Sequence, residues 1–250
     1  AALNACNKIG DQDFYYGKFL RYGGTAAQKA GNKLQKPSFV DLGESSLYSR
    51  LTKTEKPSAS KVLKNLSGVI CVSKRLVNES IKLGANPEKL LLAPNTVDKN
   101  KFKPLKQEEC RKRLNIPLDR FIVIFVGHFI DRKGPLRVQK AIDSLNMNVK
   151  GVFLGRGEQK PSGRNVLFAG SVKHDELPLW LNASDVFVLP TLAEGHCNAI
   201  NEAMACGIPV ITSDINDIRD NLHKDSAILV NPRSETEIAD AIKRLLTYPS

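Results

Sequence analysis

The run Asp185-Val-Phe-Val-Leu189 is followed, after four residues, by Glu194-Gly-His-Cys-Asn-Ala-Ile-Asn-Glu-Ala-Met-Ala-Cys-Gly-Ile-Pro-Val-Ile211. The first run has the length and apolarity of a buried strand. The second reads as a short loop, a helix over Asn198–Cys206, and a strand over Ile208–Ile211. Strand, loop and helix start is where open α/β sheets take ligands, at the carboxyl ends of their strands. A helix opening near Asn198 turns its first backbone N–H groups toward that crevice, which suits phosphate. Two carboxylates, Glu194 and Glu202, stand eight residues apart, the first in the loop and the second inside the helix. Taken alone, such a pair is most simply a first-turn acid favoured by the helix dipole and a solvated helix residue.

Working outward, the same α/β rhythm continues on both sides. Phe121–Val126, Val149–Leu154, Val166–Phe168 and Ala227–Val230 read as further strands, and Pro135–Asn146, His174–Asn182 and Glu235–Leu246 as helices. Pro135 suits a first helical position. Upstream, Lys36–Asp41, Gly68–Val72 and Leu90–Ala93 read as strands, with helices over Ser58–Leu66 and Lys74–Leu83, the latter closed by Gly84. Alternation of this kind implies parallel sheets with right-handed crossovers. The polar, lysine-rich stretch Thr96–Lys106 breaks the rhythm and reads as a linker. The expected domains are therefore 1–103 and 104–250, both Rossmann-like, the first incomplete.

Residues 194–211 resemble the signature of the retaining, nucleotide-sugar-dependent glycosyltransferases of family 4, E-x7-E followed by A-x-A-x-G-x-P-V-I. Glu194, Glu202 and the run Ala203–Ile211 carry the match. The resemblance implies the α/β GT-B fold, with an N-terminal acceptor-side domain and a C-terminal domain for the nucleotide sugar. It also implies that part of the first domain and the closing helices lie outside this chain. Pro94-Asn-Thr-Val-Asp98 is similar to the family's P-N-G-V-D turn, with Thr96 in place of glycine, and Val72-Ser-Lys-Arg75 fits as well.

Site residues follow from the resemblance. Glu194 would meet the hydroxyls of the donor sugar. Glu202 would accept those of the ribose, a role that suits a carboxylate. Backbone amides of His196, Cys197, Asn198 and Ala199 would meet sugar and phosphates. In Asp131-Arg-Lys-Gly-Pro135, Lys133 matches a lysine that binds the donor phosphates, and Arg132 is a second candidate cation. Gly127 and His128 lie in the preceding loop, with His128 where the family usually has arginine. Gly155, of Gly155-Arg-Gly157, and Ser171 and Val172 line the nucleobase side. Upstream, Gly43 falls roughly where the family often has a histidine, and Glu44 is placed to take a polar role there.

The implied reaction moves a hexosyl unit from a UDP- or GDP-sugar to a hydroxyl of a glycan or lipid-linked acceptor, in surface polysaccharide or glycoconjugate synthesis. Departure of the diphosphate toward Lys133 generates an oxocarbenium-like sugar that is attacked from the same face. Exclusion of water calls for closure of the domains over the donor. No cofactor is expected beyond the donor, and no metal. Asp11-Gln-Asp13 has the spacing of a metal motif but no strand context. The competing readings are a non-catalytic nucleotide-sugar-binding GT-B protein and another GT-B enzyme, an epimerase or a phosphorylase.

Charge and cysteines bound the partners. The formal net charge is +11 over 250 residues. Residues 1–105 hold 18 basic and 8 acidic side chains, a balance of +10, against +1 for the remainder. A basic surface of this kind favours anionic partners, a membrane surface or an acidic acceptor. No finger, helix-turn-helix or aromatic-interleaved motif accompanies the lysines, so nucleic acid is not expected. The five cysteines are odd in number and lack C-x-x-C spacing, which points to a reducing, cytoplasmic location. No apolar run reaches the length of a membrane span. The pair His196-Cys197 could be read as base and nucleophile, but small residues in this loop are better explained by close backbone approach to phosphate.

Overall fold

The computed structural model describes residues 12–44, 46–223 and 225–247. The chain divides into two compact units, one of residues 1–95 with 194–196 and one of 96–193 with 197–250. Both are α/β, each with a wholly parallel sheet, and together they make the GT-B fold.

The first unit has a four-stranded sheet in the order β1-β2-β3-β4: Tyr15–Lys18, Ser38–Leu42, Gly68–Cys71 and Leu90–Leu92. Its core is built from Val40, Leu42, Leu63, Leu66, Val69 and Leu76. Helices α1 (Thr25–Leu34), α2 (Lys56–Asn65) and α3 (Lys74–Lys82) connect the strands. Ser73 caps α3, its hydroxyl accepting from Leu76 N–H. Gly84 ends it at φ +86, with Gly84 N–H on Ile81 and Ala85 N–H on Ser80, so the last carbonyls are satisfied.

In the second unit, α4 (Gln107–Leu114) leads into six strands: β5 Phe121–Val126, β6 Val149–Leu154, β7 Val166–Gly170, β8 Val186–Leu189, β9 Val210–Ser213 and β10 Ile228–Val230. Four connecting helices are α5 (Pro135–Ser144), α6 (Leu177–Asn182), α7 (Asn198–Ala205) and α8 (Asn216–Arg219), and α9 (Glu235–Thr247) follows β10. The order β10-β9-β8-β5-β6-β7 is the doubly wound arrangement: successive strands are added outward on one side of β5 up to β7 and on its other side from β8, so the strand order reverses between β5 and β8. All of β8 and the middle of β5 are buried, as expected for strands covered on both faces.

Several boundaries differ from the sequence reading. The helix expected from His174 starts at Leu177, with Pro178 in its first turn. The strand expected from Ile208 starts at Val210, after Pro209, which has no N–H to give the ladder. Three helices, α1, α4 and α8, and strand β1 have no counterpart in the sequence reading.

Candidate functional site

The switch point lies where β5 and β8 end. From β5 the chain runs through Gly127 to Gly134, where Lys133 and Gly134 N–H both return to the Ile130 carbonyl at 3.0 and 3.2 Å. Gly134 precedes α5 at φ +78, and Pro135 occupies the first helical turn. From β8 the chain runs to Cys197, the residue before α7. No side-chain hydroxyl or carboxylate caps either helix.

These two loops are stitched together. The Arg132 carbonyl accepts from Leu192 N–H at 2.8 Å and from the Thr191 hydroxyl at 3.2 Å. The Arg132 guanidinium donates to the Ala193 carbonyl at 2.6 Å. Arg137, on α5, donates to Pro190 and Asp131 carbonyls at 3.0 and 2.8 Å and to the Asp131 carboxylate at 2.7 Å. A Cβ at Gly134 would meet the Pro190 carbonyl, so glycine there permits the approach. Hydroxyls of Thr212 and Ser213 on β9 hold the far side, donating to the Leu189 and Thr191 carbonyls at 3.0 and 2.6 Å. Two helix openings are thus fixed on adjoining loops, with the half-buried Lys133 on one of them.

On the other side of β5 the strand ends are locked through backbone. Gly127 N–H donates to Leu154, Gly155 N–H to Gly170 and Phe129 N–H to Arg156. A Cβ on Gly155 would collide with the Gly127 carbonyl, and one on Gly157 with that of Phe129. The Gly155-Arg-Gly157 turn therefore owes its glycines to close backbone packing. A cleft of about 380 Å³ opens here, lined among others by Gly127, His128, Gly155, Ser171, Val172 and His174. His128 is exposed.

Glu202 projects from α7 with its side chain 13% exposed, and its Oε1 lies 3.0 Å from His174 Nε2. The second unit thus brings together Gly127, His128, Arg132, Lys133, Gly155, Ser171, Val172, Cys197, Asn198, Ala199 and Glu202. Glu194, which is buried, and His196 group with the first unit. In that unit the Glu44 carboxylate accepts from Leu20 N–H at 2.7 Å, and burial pushes its carboxyl above the usual range against the pull of that bond. Ser45, Asp11 and Cys6 lie outside the described residues. Cys197 packs against the core, and burial pushes the Cys206 thiol up to about 11. Among the described residues, no three His, Cys, Asp or Glu side chains are grouped to hold a metal ion, and no helix is long and apolar enough to cross a membrane.

Sequence reasoning missed His174, Arg137 and Thr191. Nothing in their spacing marks them. His174 and Glu202 lie 28 residues apart and meet only through the crossover.

The model of the family described as glycosyl transferases group 1 matches residues 120–248, from the edge of β5 through α9 and over half the chain. The chain belongs to the group 1 glycosyl transferases. Among relatives of this group, a Bacillus subtilis protein named as a teichuronic acid biosynthesis glycosyltransferase, TuaC, is 30% identical over 238 residues, covering 93% of this chain and 61% of its own length. D-inositol 3-phosphate glycosyltransferase of Geodermatophilus obscurus is 28% identical over 186 residues, 65% of this chain and 41% of the relative. The chain therefore spans about three fifths of the first of these proteins and two fifths of the second. Among solved structures, Anabaena HepE in complex with UDP-glucose superposes with a TM-score of 0.85 at 20% identity, over 98% of this chain and 72% of that one. Sucrose-phosphate synthase from Thermosynechococcus elongatus gives 0.81 at 22% identity, over 98% and 67%. At these identities the structural likeness shows the GT-B fold alone.

Proposed function

We propose that the chain binds a nucleoside diphosphate sugar and serves a retaining hexosyl transfer to a glycan or lipid-linked acceptor. The observation that carries this is the stitching of the loops after β5 and β8 by Arg132. It ties the loop that leads into α5, which carries Lys133, to the loop that leads into α7, the helix that carries Glu202. A diphosphate suits such a place, because helix N-termini and an ammonium both favour its charge.

In this reading Lys133 and the amides of Cys197, Asn198 and Ala199 take the diphosphate as it leaves. Arg132 holds the loop that presents them. No metal is needed, since fixed protein charge does the neutralising. Gly127, His128, Gly155, Ser171 and Val172 wall the nucleobase, and Glu202 accepts the ribose hydroxyls. Glu194 and His196 meet the donor sugar. The donor domain is 104–250 and the acceptor side 1–103, whose balance of +10 suits an anionic membrane surface or an acidic acceptor. TuaC, named for teichuronic acid synthesis, and HepE, solved with UDP-glucose, favour a polysaccharide acceptor and a uridine donor.

The test is a thermal-shift panel of UDP- and GDP-sugars, followed by proton NMR of the transfer product. At a hundredfold excess over Kd a ligand adds about 2.7 kcal/mol of stability. One sugar should raise the midpoint, Lys133→Ala and Glu202→Gln should each diminish the rise, and the product should keep the donor's anomeric configuration in the presence of EDTA. No rise with any sugar, or an inverted product, contradicts the proposal.

A further inference from the structure

The residues before α4 form a tight turn. The Asp98 carboxylate accepts from the N–H groups of Asn100 and Lys101 at 2.9 and 3.3 Å, and its carbonyl accepts from those of Lys101 and Phe102 at 3.2 and 2.8 Å. Phe102 is 2% exposed and sits in the second unit's core, so the turn is pinned to that unit. Lys101 is thereby presented at a fixed place. Its Nζ lies 2.8 Å from His174 Nδ1 and 2.5 Å from Asp175 Oδ1.

An ammonium has hydrogens to give and no lone pair. Nδ1 of His174 must therefore be the acceptor from Lys101, and the ring hydrogen sits on Nε2. That hydrogen points at Glu202 Oε1, 3.0 Å away. The Phe102 ring meets the imidazole edge-on, with centroids 5.5 Å apart, and limits its tilt. Lysine, imidazole and carboxylate form one directed chain that leaves Oε2 of Glu202 to accept from a ligand. His174 itself lines the cleft beside Ser171 and Val172.

For stability alone the arrangement has little value. The side chains of His174 and Asp175 are 61% and 92% exposed, where ion pairs contribute almost nothing. Its effect falls on Glu202, whose side chain is only 13% exposed and whose orientation decides what it can accept.

We propose that His174 and Lys101 are positioning residues that hold Glu202 in its ribose-accepting orientation, so that preference for a ribonucleotide depends on a lysine in the linker turn. This rests on the reading of Glu202 as the ribose ligand.

The experiment is calorimetric titration of the full chain with UDP, GDP and their 2′,3′-dideoxy counterparts, which lack the hydroxyls in question. The unmodified chain should prefer the better ribonucleotide by about tenfold or more, the scale of one hydrogen bond to a charged group. Glu202→Gln should remove most of that preference. His174→Ala and Lys101→Met should each reduce it by at least about threefold, and Lys101→Met, which lies outside the cleft lining, should leave dideoxynucleotide affinity unchanged. His174→Gln, which keeps an N–H near the Nε2 position, should retain it. If Glu202→Gln leaves the preference intact, or no nucleotide binds, the ribose reading fails and this inference with it. If Glu202→Gln removes the preference but His174→Ala and Lys101→Met do not, the inference alone fails. Equal weakening of ribo- and dideoxynucleotides by His174→Ala makes the histidine a plain wall of the cleft and also overturns it.

Discussion

Replacing Arg111 by methionine should destabilise the second unit more than any surface change. Its guanidinium, 5% exposed, donates Nε to the Ala183 carbonyl at 2.8 Å and Nη1 to those of Leu118 and Arg120 at 3.2 and 3.1 Å. Nη2 donates to Asp185 Oδ2 at 2.6 Å, and the same oxygen accepts from Ile122 N–H at 2.6 Å. Asp185 directly precedes β8 and Ile122 lies in β5, so one arginine ties the amino ends of the two strands that flank the switch point. Removing one partner of a buried pair costs about 3–5 kcal/mol. Asp185 keeps Ile122 and a 3.1 Å bond from Gln107, and is 22% exposed, which favours the lower end. With the stranded carbonyls, about 3–4 kcal/mol is expected. At about 2–4 °C per kcal/mol for a domain of this size, the midpoint falls by about 6–16 °C. Thermal unfolding followed by circular dichroism reads this directly. Adding Asp185→Asn should recover part of the loss, because the carboxamide oxygen still accepts from Ile122 while the uncompensated charge is gone. As a control, Lys112→Ala, which breaks an exposed helical pair with Glu108, should leave the unfolding midpoint essentially unchanged. A loss below about 1 kcal/mol for Arg111→Met would refute the reasoning.

Three further outcomes follow from the geometry. Gly155→Ala should cost about 1–3 kcal/mol by forcing Cβ against the Gly127 carbonyl, and should weaken nucleotide binding in the adjoining cleft, read by thermal unfolding and calorimetry. In the first unit, burial alone would raise the Glu79 carboxyl. Bonds from Tyr48 and Leu47 N–H and from Arg75 instead hold it below its ordinary value near 4.5. Its stabilisation is therefore present above that value and lost as pH falls through the lower folded value, so Glu79→Gln should cost about 1–3 kcal/mol at neutral pH and flatten the acid limb of the stability curve. Burial pushes the Cys71 and Cys206 thiols up to about 11, so at pH 8 alkylation followed by peptide mapping should find Cys197 modified well before either, and nucleoside diphosphate should slow that modification.

The parts legible in sequence are those where one local rule dominates. The continuous apolar run Phe121–Val126 gave β5 to the residue, the reading of Val149–Leu154 matches β6, Pro135 marked the start of α5, and Gly84 the end of α3. The glutamate segment placed α7 correctly from Asn198. What stayed hidden is held by non-local contacts. Gln107-Glu-Glu-Cys-Arg-Lys-Arg-Leu114 has no apolar stripe, and α4 is anchored through buried Cys110 and Arg111 instead. β1 is a four-residue strand containing Gly17, recognisable only by its ladder with Ser38–Asp41. At the site, the motif residues were readable, but the hydrogen bonds that join Arg132 to Ala193 and Glu202 to His174 depend on the crossover bringing distant loops together.

The proposed function requires a grip for two phosphates where the loops leading into α5 and α7 are joined. Calorimetric titration of the chain with UDP against uridine, and GDP against guanosine, isolates that grip. For the better base, the diphosphate should bind at least about a hundredfold more tightly than the nucleoside, and Lys133→Ala should erase at least about tenfold of the difference. Equal affinity for nucleoside and nucleotide, or a gap that survives the loss of Lys133 unchanged, would contradict it.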